Sequence, residues 1–185
     1  MTLEAVFLDR DGVINPHIPG DYLKSADFLV TLPGVAQAIR RLNDAGLPVI
    51  VISNQQGVGK NEMTLDNLLA IERRMGELLA QEAGASLSGC YYSTELASAN
   101  SPRRKPGPGM LLEAAQDFGL NLAHAVFAGD APTDIAAGHA AGVSKTILLL
   151  SGGIAKYAPG DITPAPDLVF DNLTLMTDWL LESRT

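Results

Sequence analysis

A chain of 185 residues with 46% hydrophobic and 18% charged residues has the size and make-up of a single globular domain with a full core. Its formal charge of −8 argues against a nucleic-acid partner, which needs a basic face to displace counterions. One cysteine, Cys90, excludes an internal disulfide and any multi-cysteine zinc site. No apolar run approaches the ~20 residues of a membrane span. Met1-Thr2-Leu3-Glu4 carries no signal-peptide pattern, so a cytoplasmic protein with no membrane partner is expected, and a monomer.

The first element is Ala5-Val6-Phe7-Leu8, a run without alternation that reads as a strand buried on both faces of a parallel sheet. It runs into Asp9-Arg10-Asp11-Gly12, two carboxylates one residue apart at a turn. Two like charges at an apolar strand end cost free energy unless a cation or proton compensates them. Pro16 to Leu29 lacks helical periodicity and reads as a loop or short flap over that strand end, with Gly20, Asp21 and Tyr22 facing a ligand and His17 exposed.

Pro33 to Ala45 carries a helical stripe at Val35, Ala38, Ile39 and Leu42, stopped by Gly46. Leu47 to Ile52 is a second buried strand, followed by Ser53-Asn54-Gln55-Gln56-Gly57. Thr64 caps a long helix to about Ala83, with Leu65, Leu68, Leu69, Ile71, Met75, Leu78 and Leu79 on its apolar side. Leu87 to Tyr92 is a weaker third strand, whose apolar and aromatic setting makes Cys90 an inert buried thiol.

The polar stretch Ser93 to Gly109 holds the basic cluster Arg103-Arg104-Lys105 ahead of Pro106. A helix from about Met110 to Phe118 closes at Gly119, and Ala125 to Ala128 is a fourth strand ending in Gly129-Asp130. A helix over Thr133 to Ala141 ends at Gly142, Thr146 to Leu150 is a fifth strand, and Ser151-Gly152-Gly153 is its turn. Pro159 to Pro166 is irregular, Leu168 to Phe170 a short strand, and Leu173 to Leu181 a final helix. His124 and His139 sit on helix or strand edges with no partner evident in the sequence and read as satisfied structural histidines rather than catalysts. Alternating strands and helices predict an α/β fold, a doubly wound parallel sheet, in one domain over residues 1–185.

Strand ends and adjoining loops thus present Asp9 and Asp11, Ser53 and Asn54, Lys105, and Asp130 with Asp134. Singly, each has an ordinary reading as a turn, a solvated charge or a helix cap. Together they make a hard oxygen site suited to Mg²⁺, with a lysine and a hydroxyl–amide pair for an anion's remaining oxygens. Gly57-Val58-Gly59-Lys60 only hints at a phosphate loop, since Asn54 and Asn61 replace its first glycine and its hydroxyl.

In order and spacing, Asp9-x-Asp11-Gly12-Val13, Ser53-Asn54, Lys105-Pro106 and Gly129-Asp130-x-x-x-Asp134 resemble the four motifs of the haloacid dehalogenase-like phosphatases. Asp9-Arg10-Asp11-Gly12-Val13-Ile14-Asn15, Ser53-Asn54-Gln55-Gln56-Gly57 and Arg104-Lys105-Pro106-x-Pro108-Gly109-Met110 resemble the branch that holds heptose bisphosphate and histidinol-phosphate phosphatases, which has a small flap and no large cap domain. The resemblance implies a Rossmann-like sheet and Asp9 as the nucleophile that becomes an aspartyl-phosphate. It implies Asp11 as general acid and base, and Asp9, Asp11 (through its backbone carbonyl), Asp130 and Asp134 around Mg²⁺. Ser53, Asn54 and Lys105 then cradle the phosphate of a small phosphorylated metabolite, and Arg104 meets the substrate beyond it.

Members of that branch commonly carry a cysteine-rich zinc loop where this chain has Ser93-Thr94-Glu95 and Ser101-Pro102-Arg103, so no zinc is expected. The substrate expected is a heptose bisphosphate. Histidinol phosphate is the alternative within the class, and a non-catalytic phosphate-sensing module the alternative outside it.

Overall fold

The computed structural model describes residues 3–152 and 157–183. Gly153, expected in the turn after the fifth strand, lies outside them. Among the described residues, six parallel strands form one sheet: β1 (Ala5–Leu8), β2 (Val49–Asn54), β3 (Gly89–Ser93), β4 (Ala125–Gly129), β5 (Lys145–Leu149) and β6 (Leu168–Phe170), in the spatial order β3-β2-β1-β4-β5-β6. The chain builds outward from β1 in one direction through β2 and β3. It then returns to the other side of β1 with β4, so the switch point lies between β1 and β4. Ligands of open α/β sheets bind outside the carboxyl ends of the strands at such a point.

The unbroken apolar strands are explained by what covers them. Val6 and Leu8 of β1, Val49 and Val51 of β2, and Val126 and Ala128 of β4 face one side, where they meet α1 (Val35–Asp44), α2 (Leu65–Ala83) and α5 (Leu173–Glu182). Ala5, Phe7, Ile50, Ile52 and Phe127 face the other side, against α3 (Gly109–Phe118) and α4 (Pro132–Ala141). A strand covered on both faces has no polar face to show, hence the lack of alternation. None of the described helices is long and apolar enough to cross a membrane.

Helix ends follow their signals. Thr64 and Asn67 form a reciprocal capping box at the start of α2, and Gly84, Gly119 and Gly142 close α2, α3 and α4 in the left-handed conformation. Three expectations need correction. Leu65 and Leu69 are exposed on α2, because the buried stripe is the narrower Leu68, Ile71, Met75 and Leu79. Strand β2 runs on through Ser53 and Asn54, which pair with Tyr92 and Ser93 of β3 rather than forming a turn. Cys90 is half-buried, though burial still pushes its thiol up to about 12. His124 and His139 are satisfied, as expected, but by partners the sequence did not show: Glu4 Oε1 at 2.9 Å and the Ala165 carbonyl at 2.9 Å.

Candidate active site

The carboxyl ends of β1, β2 and β4 open into a cavity of about 730 Å³. Asp9, Asp11, Ser53, Asn54, Lys105 and Asp130 line it, and the flap supplies His17, Asp21 and Tyr22 among others. Gly20 is not in the lining. Asp134 lies one layer beneath, fully buried at the first turn of α4, where its Oδ2 accepts from the Ala131 N–H at 3.0 Å. Arg104 stands outside, donating from its guanidinium to the Glu95 carbonyl at 3.3 Å. Of the sequence-predicted site residues, the structure leaves Arg104 and Gly20 outside the cavity and brings the rest together.

Asp9, Asp130 and Asp134 each offer one oxygen within 4.8 Å of the others. Two features of the chain permit that crowding. Gly12 (φ +87°) and Gly152 press against the Asp130 carboxylate so closely that a Cβ on either would overlap it. Lys105, buried to 2% exposure, places its ammonium 3.0 Å from Asp9 and 2.6 Å from Asp134, and donates to the Ile52 carbonyl at 2.8 Å.

Three carboxylates against one ammonium leave two negative charges uncompensated when all are ionised. The carboxylates register the strain. Burial, with Asp9 and Asp134 nearby, pushes Asp130 up to about 8. Burial likewise raises Asp9, only partly offset by Lys105. Lys105 is held above its usual value, because Asp134 and Asp9 outweigh the burial that would lower it. Oxygen donors carrying two surplus negative charges fit a hard divalent cation, and Mg²⁺ favours one or two carboxylates with water and phosphate oxygens.

Asp11 is in a different setting. Its side chain is 25% exposed and stands outside the acid cluster. Arg10 Nη2 donates to both its oxygens at 3.1 and 2.9 Å, Asn15 Nδ2 to Oδ1 at 2.9 Å, and Gln55 Nε2 to Oδ2 at 2.7 Å. Burial acts to raise its pKa, but the Arg10 charge and these donors hold it below the usual range. Four hydrogen bonds fill the four lone-pair positions of a carboxylate, so Asp11 is ionised in this arrangement.

Asn54 does more structural work than its motif suggests. Its Nδ2 donates to the Lys105 carbonyl at 2.9 Å while its Oδ1 accepts from the Lys105 N–H at 3.0 Å, clamping that backbone to the end of β2. Arg10, Asn15 and Gln55, all fully or nearly fully buried, received no role from sequence reasoning. The available signal was a guanidinium between two carboxylates at the end of a buried strand, where only a paired charge is tolerated.

Residues 3–142 match the family model described as haloacid dehalogenase-like hydrolase. A D-glycero-D-manno-heptose-1,7-bisphosphate 7-phosphatase of Thermosynechococcus vestitus is 37% identical over 97% of this chain and 96% of its own length. A D-glycero-beta-D-manno-heptose-1,7-bisphosphate 7-phosphatase of Pseudomonas aeruginosa is 32% identical over 98% of this chain and all of its own length (100%). Among solved structures, the D,D-heptose 1,7-bisphosphate phosphatase of B. bronchiseptica, complexed with magnesium and phosphate, superposes with a TM-score of 0.90 at 31% identity, covering 98% of this chain and 99% of that one. With the acid cluster and lysine at the switch point and a family model matched over most of its length, the chain belongs to the haloacid dehalogenase-like hydrolases.

Proposed function

We propose that this hydrolase is a Mg²⁺-dependent phosphomonoester phosphatase that removes the 7-phosphate of D-glycero-D-manno-heptose 1,7-bisphosphate. The observation that carries the reading is the placement of Lys105 at 3.0 Å from Asp9, in a cavity that also presents Ser53 and Asp130. The substrate is supported by the relatives at 37% and 32% identity, which bear that activity in their names. A cavity of about 730 Å³ is sized for a sugar phosphate.

Asp9 is the nucleophile in this reading. Its carboxylate attacks phosphorus in line, the bond to the sugar oxygen breaks, and an aspartyl-phosphate remains. Asp9, Asp130, Asp134 and the Asp11 backbone carbonyl are the residues that would hold Mg²⁺, which when bound neutralises phosphoryl oxygens and makes attack by a carboxylate feasible. Lys105 and Ser53 hold the remaining oxygens, and Asn54 keeps Lys105 in place.

Asp11 gives a proton to the departing sugar oxygen and then takes one from the water that hydrolyses the acyl-phosphate. To carry that proton its carboxyl gives up one of its four donors. Arg104, outside the cavity lining, is assigned to the far end of the substrate. The same reading includes a monomeric single-domain enzyme of the cytoplasm, with no zinc and no nucleic-acid or membrane partner. The supports are a site contained within one chain and a net charge of −8.

Phosphate release from the heptose bisphosphate, histidinol phosphate and common hexose phosphates, with Mg²⁺ and with chelator, tests the proposal. Mg²⁺-dependent turnover ranked with the heptose bisphosphate first is expected. Preference for histidinol phosphate would replace the substrate, and no release from any ester would reject catalysis.

A further inference from the structure

Asp11 is gripped from two separate parts of the chain. Arg10 and Asn15 come from its own loop. Gln55 reaches it from the end of β2, with its backbone N–H tied to the Ser93 carbonyl at 2.7 Å. The amide nitrogen that donates to Asp11 Oδ2 at 2.7 Å also donates to Ser53 Oγ at 3.1 Å.

We propose that Gln55 is a positioning residue, whose single amide group sets the acid/base carboxylate of Asp11 in register with the phosphate-binding hydroxyl of Ser53. The proposal rests on the reading of Asp11 as acid and base given above. Two N–H bonds on one planar nitrogen fix the spacing of their two acceptors. The amide's orientation follows from charge, since turning it would set its carbonyl oxygen against a carboxylate.

Packing alone does not account for this side chain. Gln55 is 1% exposed, and its Oε1 has no hydrogen-bond partner among the described residues. Leaving a buried acceptor unmet costs stability, a cost that methionine or leucine of similar volume would avoid. The benefit of the amide is therefore sought in the chemistry. Misplacing a reacting group by about 1 Å costs on the order of 10²-fold in rate, and among the described donors to Asp11 it is Gln55 that also bonds the Ser53 hydroxyl.

The test compares two esters on Gln55→Met, Asp11→Asn and the parent protein, all with Mg²⁺. The heptose bisphosphate has an alkoxide leaving group that needs a proton, whereas p-nitrophenyl phosphate has one that does not. For Gln55→Met, kcat/KM for the sugar ester is expected to fall about 10- to 100-fold and that for the aryl ester no more than about threefold. The ratio of the two is read on one sample, so a loss of folded protein cancels.

Asp11→Asn is expected to show a steeper ratio still. Equal losses for both esters in Gln55→Met, or no loss, beside a steep Asp11→Asn ratio, would overturn the positioning role alone. A flat ratio in Asp11→Asn would overturn the acid/base reading of Asp11, and the role of Gln55 with it.

Discussion

The ammonium of Lys105 lies 2.6 Å from the fully buried carboxylate of Asp134, and the same nitrogen reaches Asp9 at 3.0 Å. A buried charge of this kind is the internal counter-ion of an acid cluster. Removing one partner of a buried pair costs about 3–5 kcal/mol, because the other is left uncompensated.

Lys105→Met is accordingly expected to lower the melting temperature of the metal-free protein, and Mg²⁺ to restore much of that loss. Activity is not expected to return, since a missing donor to the transition state costs about 10²- to 10³-fold. Melting curves with chelator and with Mg²⁺, beside phosphate release, check both halves. A variant as active as the parent would remove Lys105 from the site chemistry.

Asp9→Asn is expected to separate fold from function. The ionised form of Asp9 is disfavoured by burial and by Asp134, so an isosteric amide relieves repulsion and the metal-free protein melts no lower than the parent at pH 8. Turnover is expected to vanish, because an amide cannot form the acyl-phosphate. Residual phosphate release at the parent rate would reject Asp9 as nucleophile.

Acid in the cluster also sets a pH dependence. Asp130 sits near 8 in the folded, metal-free protein, against about 3.9 for an unperturbed aspartate. Between those values the folded chain binds more protons than the unfolded one, so its stability falls as pH rises through that window. A divalent cation competes with that proton and reverses the trend. The rise in melting temperature on adding Mg²⁺ is therefore expected to be larger at pH 8 than at pH 5.5. Equal increments at both pH values would contradict the crowding of Asp130.

How much of this was legible in the chain depends on the kind of signal. Val49-Ile50-Val51-Ile52 reads as a doubly covered strand because every residue in it is buried, and burial on both faces writes itself into composition. Asp9, Ser53 and Asp130 could be grouped because each follows such a run, and Lys105 because it is the lysine of the basic cluster in the polar loop after the third strand. Arg10, set between two carboxylates, could be read as a paired charge but not as a fully buried one, because its depth depends on what packs over it. Its guanidinium pairs with Asp11 and lies close enough to Cys90 and Tyr92 of β3 to act on them electrostatically. The amide of Asn54 was legible as polar and close to phosphate, but not as a clamp on the Lys105 backbone. Leu65 and Leu69 mislead for the opposite reason: an apolar side chain at helical spacing is buried only where another element meets that face.

Gly12 and Gly46 provide the contrast that isolates the metal site from backbone cost. Both have positive φ, +87° and +75°, so alanine at either incurs the left-handed penalty of roughly 1–2 kcal/mol. At Gly46, which ends α1, a Cβ meets nothing within 4 Å, whereas at Gly12 it overlaps the Asp130 carboxylate and crowds the Gly152 backbone. Gly46→Ala is therefore expected to lower the melting temperature modestly and leave the Mg²⁺ concentration for half-maximal activity unchanged. Gly12→Ala pays the same backbone cost and in addition drives Asp130 from the cluster, so its Mg²⁺ requirement is expected to rise at least about tenfold, equivalent to ~1.4 kcal/mol of lost binding. A Gly12→Ala protein that needs no more Mg²⁺ than Gly46→Ala would show that Asp130 can leave its present position without loss of the ion.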